Sequence, residues 1–328
     1  MNVAYPNKIS EISEISEIKP AHHRWSYLNG EFIESDLAVL PITTQAFNYG
    51  TAVFEGIRGY THDSDGEVNI FRLDDHINRL CQSASLLLIN DLPEHQVLKK
   101  LIVSLLARNK TRNDCYIRPI AYKHHLLPGS GFGVKLSGVS SGLSVNSLNM
   151  SSYIKEGGIA CTISGWRRVA DNSIPARAKI TGSYVNSALA MEAAQRGGYD
   201  DAIMLNGHGY VAEATTSNVF MVKNGKLITP PTTAHILEGI TRDTVITLAT
   251  NYLDLKVEAR DILPSELLTA DECFLTGTGV EISPVSQIDH HKLNSMDTHS
   301  ISMTIKGLYE QSVRGELNVF NHWLTPVY

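Results

Sequence analysis

Residues 202–229 constrain the fold more tightly than any other stretch. Short apolar runs are separated there by Asn206-Gly207-His208-Gly209 and by Asn224-Gly225. An Asn-Gly pair between two such runs is a strong hairpin signal, because both central residues of the tight turn must take positive φ. The stretch reads as a meander of strands, and a sheet of this kind buries its apolar face against another layer. Helices supply that layer. Ile77, Leu80, Cys81, Ala84, Leu87 and Leu88 recur at three- and four-residue steps, as do Val97, Leu98, Leu101, Ile102, Leu105 and Leu106. A further helix opens at Gly239-Ile240-Thr241 and carries Val245, Ile246, Leu248, Ala249, Tyr252 and Leu253.

Strand signals also occur in the first half. Tyr27 to Phe32 reads as a strand and turn, and Tyr116 to Tyr122 as a strand whose alternation puts Tyr116 and Arg118 on one face. An arginine on a buried or cleft-facing strand needs an anion, either a neighbouring carboxylate or a ligand. Residues 128–152 are rich in Gly and Ser and read as loops with one strand. The expectation is a two-domain α+β protein, each domain a mixed or barrel-like sheet with packed helices. Its parts are a flexible tail over 1–24, a small α/β domain over 25–149, a linker over 150–157 and a large domain over 158–328. The tail contains an Ile-Ser-Glu repeat at 9–18 whose three-residue period suits neither helix nor strand.

Composition narrows the function classes. A net charge of −6 carries no basic excess for nucleic acid, and no apolar run is long enough for a bilayer. The first 24 residues lack the basic start and apolar stretch of a secretory signal, so a cytoplasmic protein is expected. Cys81, Cys115, Cys161 and Cys273 form no C-x-x-C pair and read as reduced, mostly buried thiols. The adjacent histidines at 22–23, 124–125 and 290–291 point apart on either helix or strand, so no metal site is expected from them.

The chemistry centres on Lys179, in Ala176-Arg-Ala-Lys-Ile-Thr-Gly-Ser-Tyr184, with Glu213 downstream in Val211-Ala-Glu-Ala-Thr-Thr-Ser-Asn218. A lysine able to form a Schiff base, a tyrosine for a phenolate and a carboxylate for a ring nitrogen are the groups that pyridoxal 5'-phosphate chemistry requires.

Five segments carry a resemblance. They are Asn48 to Tyr60 (Asn-Tyr-Gly-Thr-Ala-Val-Phe-Glu-Gly-Ile-Arg-Gly-Tyr), Tyr116-Ile-Arg-Pro119, Ala178-Lys-Ile-Thr-Gly-Ser-Tyr184, Gly239-Ile-Thr-Arg-Asp243 and Thr276-Gly-Thr-Gly-Val-Glu-Ile-Ser-Pro-Val285. With them the chain resembles the class IV aminotransferases, the fold-type IV pyridoxal phosphate enzymes, over roughly residues 25–290. Within that family it looks most like the branched-chain amino acid aminotransferases. The resemblance implies that Lys179 is the Schiff-base lysine, that Glu213 faces the pyridine nitrogen, and that Tyr184 bonds the phenolic oxygen. Arg79, Thr216, Ser217, Thr278 and the backbone of Ile240 and Thr241 fall on the cofactor side, mostly around the phosphate.

For the substrate, the resemblance implies an α-carboxylate held by the turn Thr278-Gly279-Val280 with help from Arg58 and Tyr116. Arg118 would take the distal carboxylate of glutamate, while Tyr49, Phe54 and Tyr153 would form an apolar pocket. The expected reaction is transamination between a branched-chain or other hydrophobic L-amino acid and 2-oxoglutarate, in a homodimer or higher homo-oligomer. A D-amino acid or amine transaminase and an aminodeoxychorismate lyase-like enzyme are alternatives on the same fold. Three departures cluster around the substrate pocket: Met150 where bacterial relatives often carry tryptophan, Gly279-Val280 in place of two alanines, and residues 123–148, which match the family poorly.

Overall fold

The computed structural model describes residues 22–62, 66–127, 129, 131–151 and 157–328. The Ile-Ser-Glu repeat, most of the expected tail and linker, and Tyr153 lie outside the described residues.

Two sheets organise the chain. The first has eight strands among the described residues, in the order Leu324–Pro326, Val68–Phe71, Ile57–Thr61, Cys115–Lys123, Ser141–Asn149, Trp25–Leu28 and Glu31–Glu34, with Ala52–Phe54 also pairing on Cys115–Lys123. Its pairings are antiparallel. The Asn29-Gly30 turn joins its last two strands with φ of 47° and 111°. Along Cys115–Lys123 the alternation holds: Cys115, Ile117 and Ala121 are buried, and Tyr116 and Arg118 share the opposite, partly open face.

The second sheet holds the meander. Asp201–Leu205, Val211–Ala214, Asn218–Lys223 and Lys226–Thr229 follow one another, and Asn224 and Gly225 turn the last hairpin at φ of 50° and 71°. Val211–Ala214 pairs with both Asp201–Leu205 and Asn218–Lys223. The circuit through Ile159–Arg167, Glu281–Ile288 and Glu272–Gly277 therefore closes on itself, which makes this sheet barrel-like. Ile159–Arg167 runs parallel to both its neighbours, so the sheet is mixed.

Helices cover the sheets as their periodicity requires. Leu73–Leu86 buries Ile77, Leu80 and Ala84, and His95–Arg108 buries Leu98, Ile102, Leu105 and Leu106 in the same apolar core. The first helix stops sooner than its pattern suggests. Leu88 takes φ of 52° and is half exposed, so it belongs to the turn and not to the buried stripe. Ile240–Tyr252 packs Val245, Leu248 and Ala249 under the second sheet with Ile305 and Tyr309 of the helix Ile301–Val313. The last strand, Leu324–Pro326, crosses back to pair with Asn69–Phe71, so the expected large domain gives that strand to the first sheet.

Candidate active site

Lys179 lies where the two sheets meet. The segment that carries it docks on Ala52–Phe54 of the first sheet: Val53 bridges Ile180, and the Phe54 amide donates to the Lys179 carbonyl at 3.0 Å. The Lys179 amide itself donates to Ser83 Oγ at 3.1 Å. Gly182 then meets Gly50 backbone to backbone. Gly50 sits at φ of +68°, and a Cβ on it would fall 2.7 Å from the Gly182 Cα. A larger residue at Gly50 would push the lysine segment off the sheet, and one at Gly182 would press on the Gly50 carbonyl at 3.2 Å.

The Lys179 side chain enters a polar cup. Protein surrounds it, but part of its surface stays open to the cup, and Nζ donates to Tyr184 Oη at 2.7 Å. Burial, reinforced by the Arg79 charge, lowers its pKa to about 8. Burial likewise pushes the Tyr184 hydroxyl well up, helped by the Glu213 charge.

Two buried ion pairs frame the cup. On one side Glu55, fully buried, accepts from Arg79 Nε at 2.7 Å and Nη2 at 2.8 Å, and pairs with His76 Nδ1 at 2.8 Å. Burial alone would raise the Glu55 carboxyl, but Arg79 and His76 outweigh it and hold it well below the carboxylate range. Arg79 Nη1 reaches the Glu238 carbonyl at 2.8 Å, so its guanidinium is fixed in place. Opposite, Glu213 accepts from Arg168 Nε at 2.6 Å and from Asn218 Nδ2 and the Leu237 amide at 3.1 Å each. Burial pushes the Glu213 carboxyl up, and the Arg168 charge opposes it.

The floor of the cup offers donors. Gly239 precedes the helix Ile240–Tyr252 and supplies no side-chain cap, so the amides at its start face the cup beside Thr241. Ser217 Oγ and Thr276 Oγ1 are buried there with no hydrogen-bond partner among the described residues. Arg79, Lys179, Tyr184, Glu213, Thr216 and Ser217 all line this cup, as do Ile240, Thr241 and Thr278. The structure thus gathers every residue expected on the cofactor side.

Lys179, Tyr184, Thr216 and Thr278 also border a second cleft of about 450 Å³. Phe54, Leu148, Met150 and Val280 make it apolar, and Gly279 forms one edge. Phe54 packs edge-on to Tyr184 with ring centroids 4.8 Å apart. Arg118 Nη2 donates to Tyr116 Oη at 2.5 Å, and its guanidinium lies 4.5 Å from the Phe54 ring centre. Its Nε is buried without a partner among the described residues. Gly56 makes room for Tyr116, since a Cβ there would come within 2.1 Å of the hydroxyl.

Two expected substrate residues stand elsewhere. Tyr49 is 41% exposed and lines neither cavity. Arg58 is buried behind the cleft wall, where Nη2 donates to the Met150 carbonyl at 2.9 Å. It sits there because two carboxylates draw it in, Glu281 at 3.7 Å and Asp114 at 3.9 Å. Glu55, His76, Arg168 and Asn218 carry no expected role from the sequence, although Glu55, Arg168 and Asn218 bond residues of the cup and His76 reaches it through Glu55.

Residues 52–288 match the family described as Amino-transferase class IV. The chain belongs to the class IV aminotransferases. Among its relatives is a probable branched-chain-amino-acid aminotransferase of Aquifex aeolicus, 41% identical over 93% of this chain and 97% of that protein. Two solved structures share the fold closely. The branched-chain amino acid aminotransferase of Thermobaculum terrenum in its PLP form superposes with a TM-score of 0.88 at 37% identity, over 94% of this chain and all of that one. The branched-chain aminotransferase of the thermophilic archaeon Thermoproteus uzoniensis, solved with norvaline, gives 0.87 at 35% identity, over 93% of this chain and all of that one.

Class IV aminotransferases are pyridoxal 5'-phosphate enzymes, and the cup of this member fits that group. The two orphaned hydroxyls, the uncapped helix start and Arg79 suit a phosphate. A buried carboxylate and a lysine of lowered pKa suit the ring and its carbonyl.

Proposed function

We propose that the protein transfers the amino group of a branched-chain or other hydrophobic L-amino acid to 2-oxoglutarate, giving a 2-oxo acid and glutamate. The observation that carries this reading is the join between cup and cleft. One amine of lowered pKa, Lys179, borders both a charged cup and an apolar cavity that has a single arginine within it. An aliphatic side chain fits against Phe54, Leu148, Met150 and Val280. The distal carboxylate of glutamate would take the unpartnered Nε face of Arg118.

When bound, pyridoxal phosphate supplies a carbonyl that receives the amino group and a ring that accepts electron density from the substrate Cα. The residues do the rest. Arg79, Ser217, Thr216, Thr278 and the amides of Ile240 and Thr241 hold the phosphate. Glu213, kept in place by Arg168 and Asn218, keeps a proton on the ring nitrogen. Tyr184 bonds the phenolic oxygen. Lys179, about half neutral at pH 8 and largely a free amine a unit above it, is placed to take a proton from the substrate Cα and would carry it between there and the bound group. The turn Thr278-Gly279-Val280 and Tyr116 hold the α-carboxylate.

A cytoplasmic homodimer or larger assembly belongs to the same proposal. Leu37, Val39, Ile42 and Phe47 are each more than 60% exposed on one short segment, an apolar run that suits contact with a second copy. No helix among the described residues is long and apolar enough to cross a membrane.

The test is to supply the holoenzyme with L-leucine and 2-oxoglutarate and measure glutamate. Glutamate should accumulate in step with a branched 2-oxo acid. D-leucine and a simple amine serve as separate donors, and turnover with those alone would replace this reading by a D-amino acid or amine transaminase.

A further inference from the structure

Met150 forms part of the apolar wall of the cleft, and both of its backbone polar groups are tied. Its amide donates to the Asp114 carbonyl at 2.9 Å, and its carbonyl accepts from Arg58 at 2.9 Å. Asp114 is itself clamped. Its carboxylate accepts from the Thr61 amide at 2.8 Å and from both Nη atoms of Arg314 at 2.7 Å, in a bidentate pair. Burial would raise the Asp114 carboxyl, but Arg314 and Thr61 together pull it down. Arg314 comes from the far end of the helix Ile301–Val313 and also donates to the Thr61 carbonyl at 2.8 Å. The Tyr60 ring lies between two guanidiniums, Arg58 at 4.9 Å and Arg314 at 5.5 Å.

The opposite wall of the cleft is the turn Thr278-Gly279-Val280, and Glu281 follows it directly. Behind these walls Arg58 links them, hydrogen-bonded to Met150 and 3.7 Å from Glu281. The gap is narrow: the Met150 methyl lies 4.0 Å from the place a Cβ would occupy on Gly279.

We infer that Arg314, outside the cleft, is a positioning residue for substrate side-chain size, acting through Asp114 to hold Met150 against the Thr278–Val280 turn. The inference rests on the transaminase reading above. Loss of the bidentate pair frees the Asp114 end of the strand connection, the Met150 wall relaxes outward, and larger side chains enter.

The experiment compares kcat/KM for L-valine, L-leucine, L-methionine and L-phenylalanine, with 2-oxoglutarate as acceptor, in wild type, Arg314→Gln and Arg314→Lys. Pyridoxal phosphate affinity and Tm are measured alongside. Arg314→Gln should raise the phenylalanine-to-valine ratio about fivefold or more through KM, since one methylene of fit is worth about tenfold or more in a well-formed pocket. Cofactor affinity should stay unchanged, and Arg314→Lys should restore part of the original ratio. An unchanged ratio in a folded variant, or an equal fall for all four substrates, overturns the inference. If Arg314→Gln does not fold, Asp114→Asn decides, because it weakens the same bidentate pair from the other side without touching the cleft lining and must shift the same ratio. A wild type that turns over none of the four substrates removes the transaminase reading itself, an outcome distinct from either.

Discussion

The polar cup and the apolar cleft share Lys179, yet they are built differently. In the cup, charges come already paired: Glu55 holds Arg79 and His76, and Glu213 holds Arg168. Each pair is buried, so each geometry is set before any ligand arrives and little has to reorganise on binding. In the cleft the walls are mostly apolar, and Arg118 retains a buried Nε with no partner among the described residues. Of the departures expected from the sequence, Met150 and Gly279-Val280 fall in the cleft, whereas of residues 123–148 only Leu148 borders it. A fixed cup beside an adjustable cleft is what an enzyme needs if one chemistry is to serve side chains as different as those of leucine and glutamate.

Four substitutions or titrations would break or sharpen that contrast. The largest effect is expected from Lys179→Ala, which should lower kcat by about 10⁴-fold or more, because it removes both nucleophile and proton carrier. Persistent turnover in a single-turnover assay would disprove the central role of the amine. Next is Glu55→Gln in the cup. It leaves Arg79 buried and short of a counter-charge, and should cost about 3–5 kcal/mol of stability in urea unfolding. A loss near zero would mean that the cup is not pre-paired. In the cleft, Arg118→Leu should weaken glutamate more than leucine as donor, by about 10- to 100-fold in kcat/KM, the worth of a charge-assisted hydrogen bond. Equal losses would make Arg118 structural. The smallest effect concerns pH. Because burial lowers the Lys179 pKa to about 8, its neutral fraction falls about tenfold per unit below that value and levels off above it. Labelling of Lys179 in the cofactor-free protein should follow that curve, and a midpoint near 10 would show that the amine is ordinary.

The cup was more legible in the sequence than the cleft. Its residues lie in short continuous segments whose chemistry declares itself, such as Lys179 with Tyr184 five positions on. The partners that hold them were hidden for a physical reason. Glu55 and Arg79 are 24 positions apart and Arg168 and Glu213 are 45 apart, so only the folded sheets bring them together. Glu55 even lies within the segment from Asn48 to Tyr60, but a lone carboxylate there carries no sign of its partner. Arg58 is the reverse case. Its position in that segment suggested a ligand contact, and the pull of Asp114 and Glu281, both distant in sequence, drew it behind the wall. The hairpins and the amphipathic helices were local features and were read as such, apart from the helix end at Leu88, where a left-handed residue leaves no mark in apolar periodicity.

The seam between Ala52–Phe54 and the lysine segment bears on how such a site opens. Val53 bridges Ile180, Phe54 hydrogen-bonds the Lys179 carbonyl, and Gly182 rests on Gly50 with no side chain between them. Nucleophile and aromatic wall are thus stitched into one rigid block. If the two sheets hinge apart to admit a reactant, Lys179 and Phe54 travel together, and the aperture widens along the Thr278–Val280 rim. The backbone that carries the amine then keeps its register against the strand that carries the aromatic ring, so entry and exit need not separate the two.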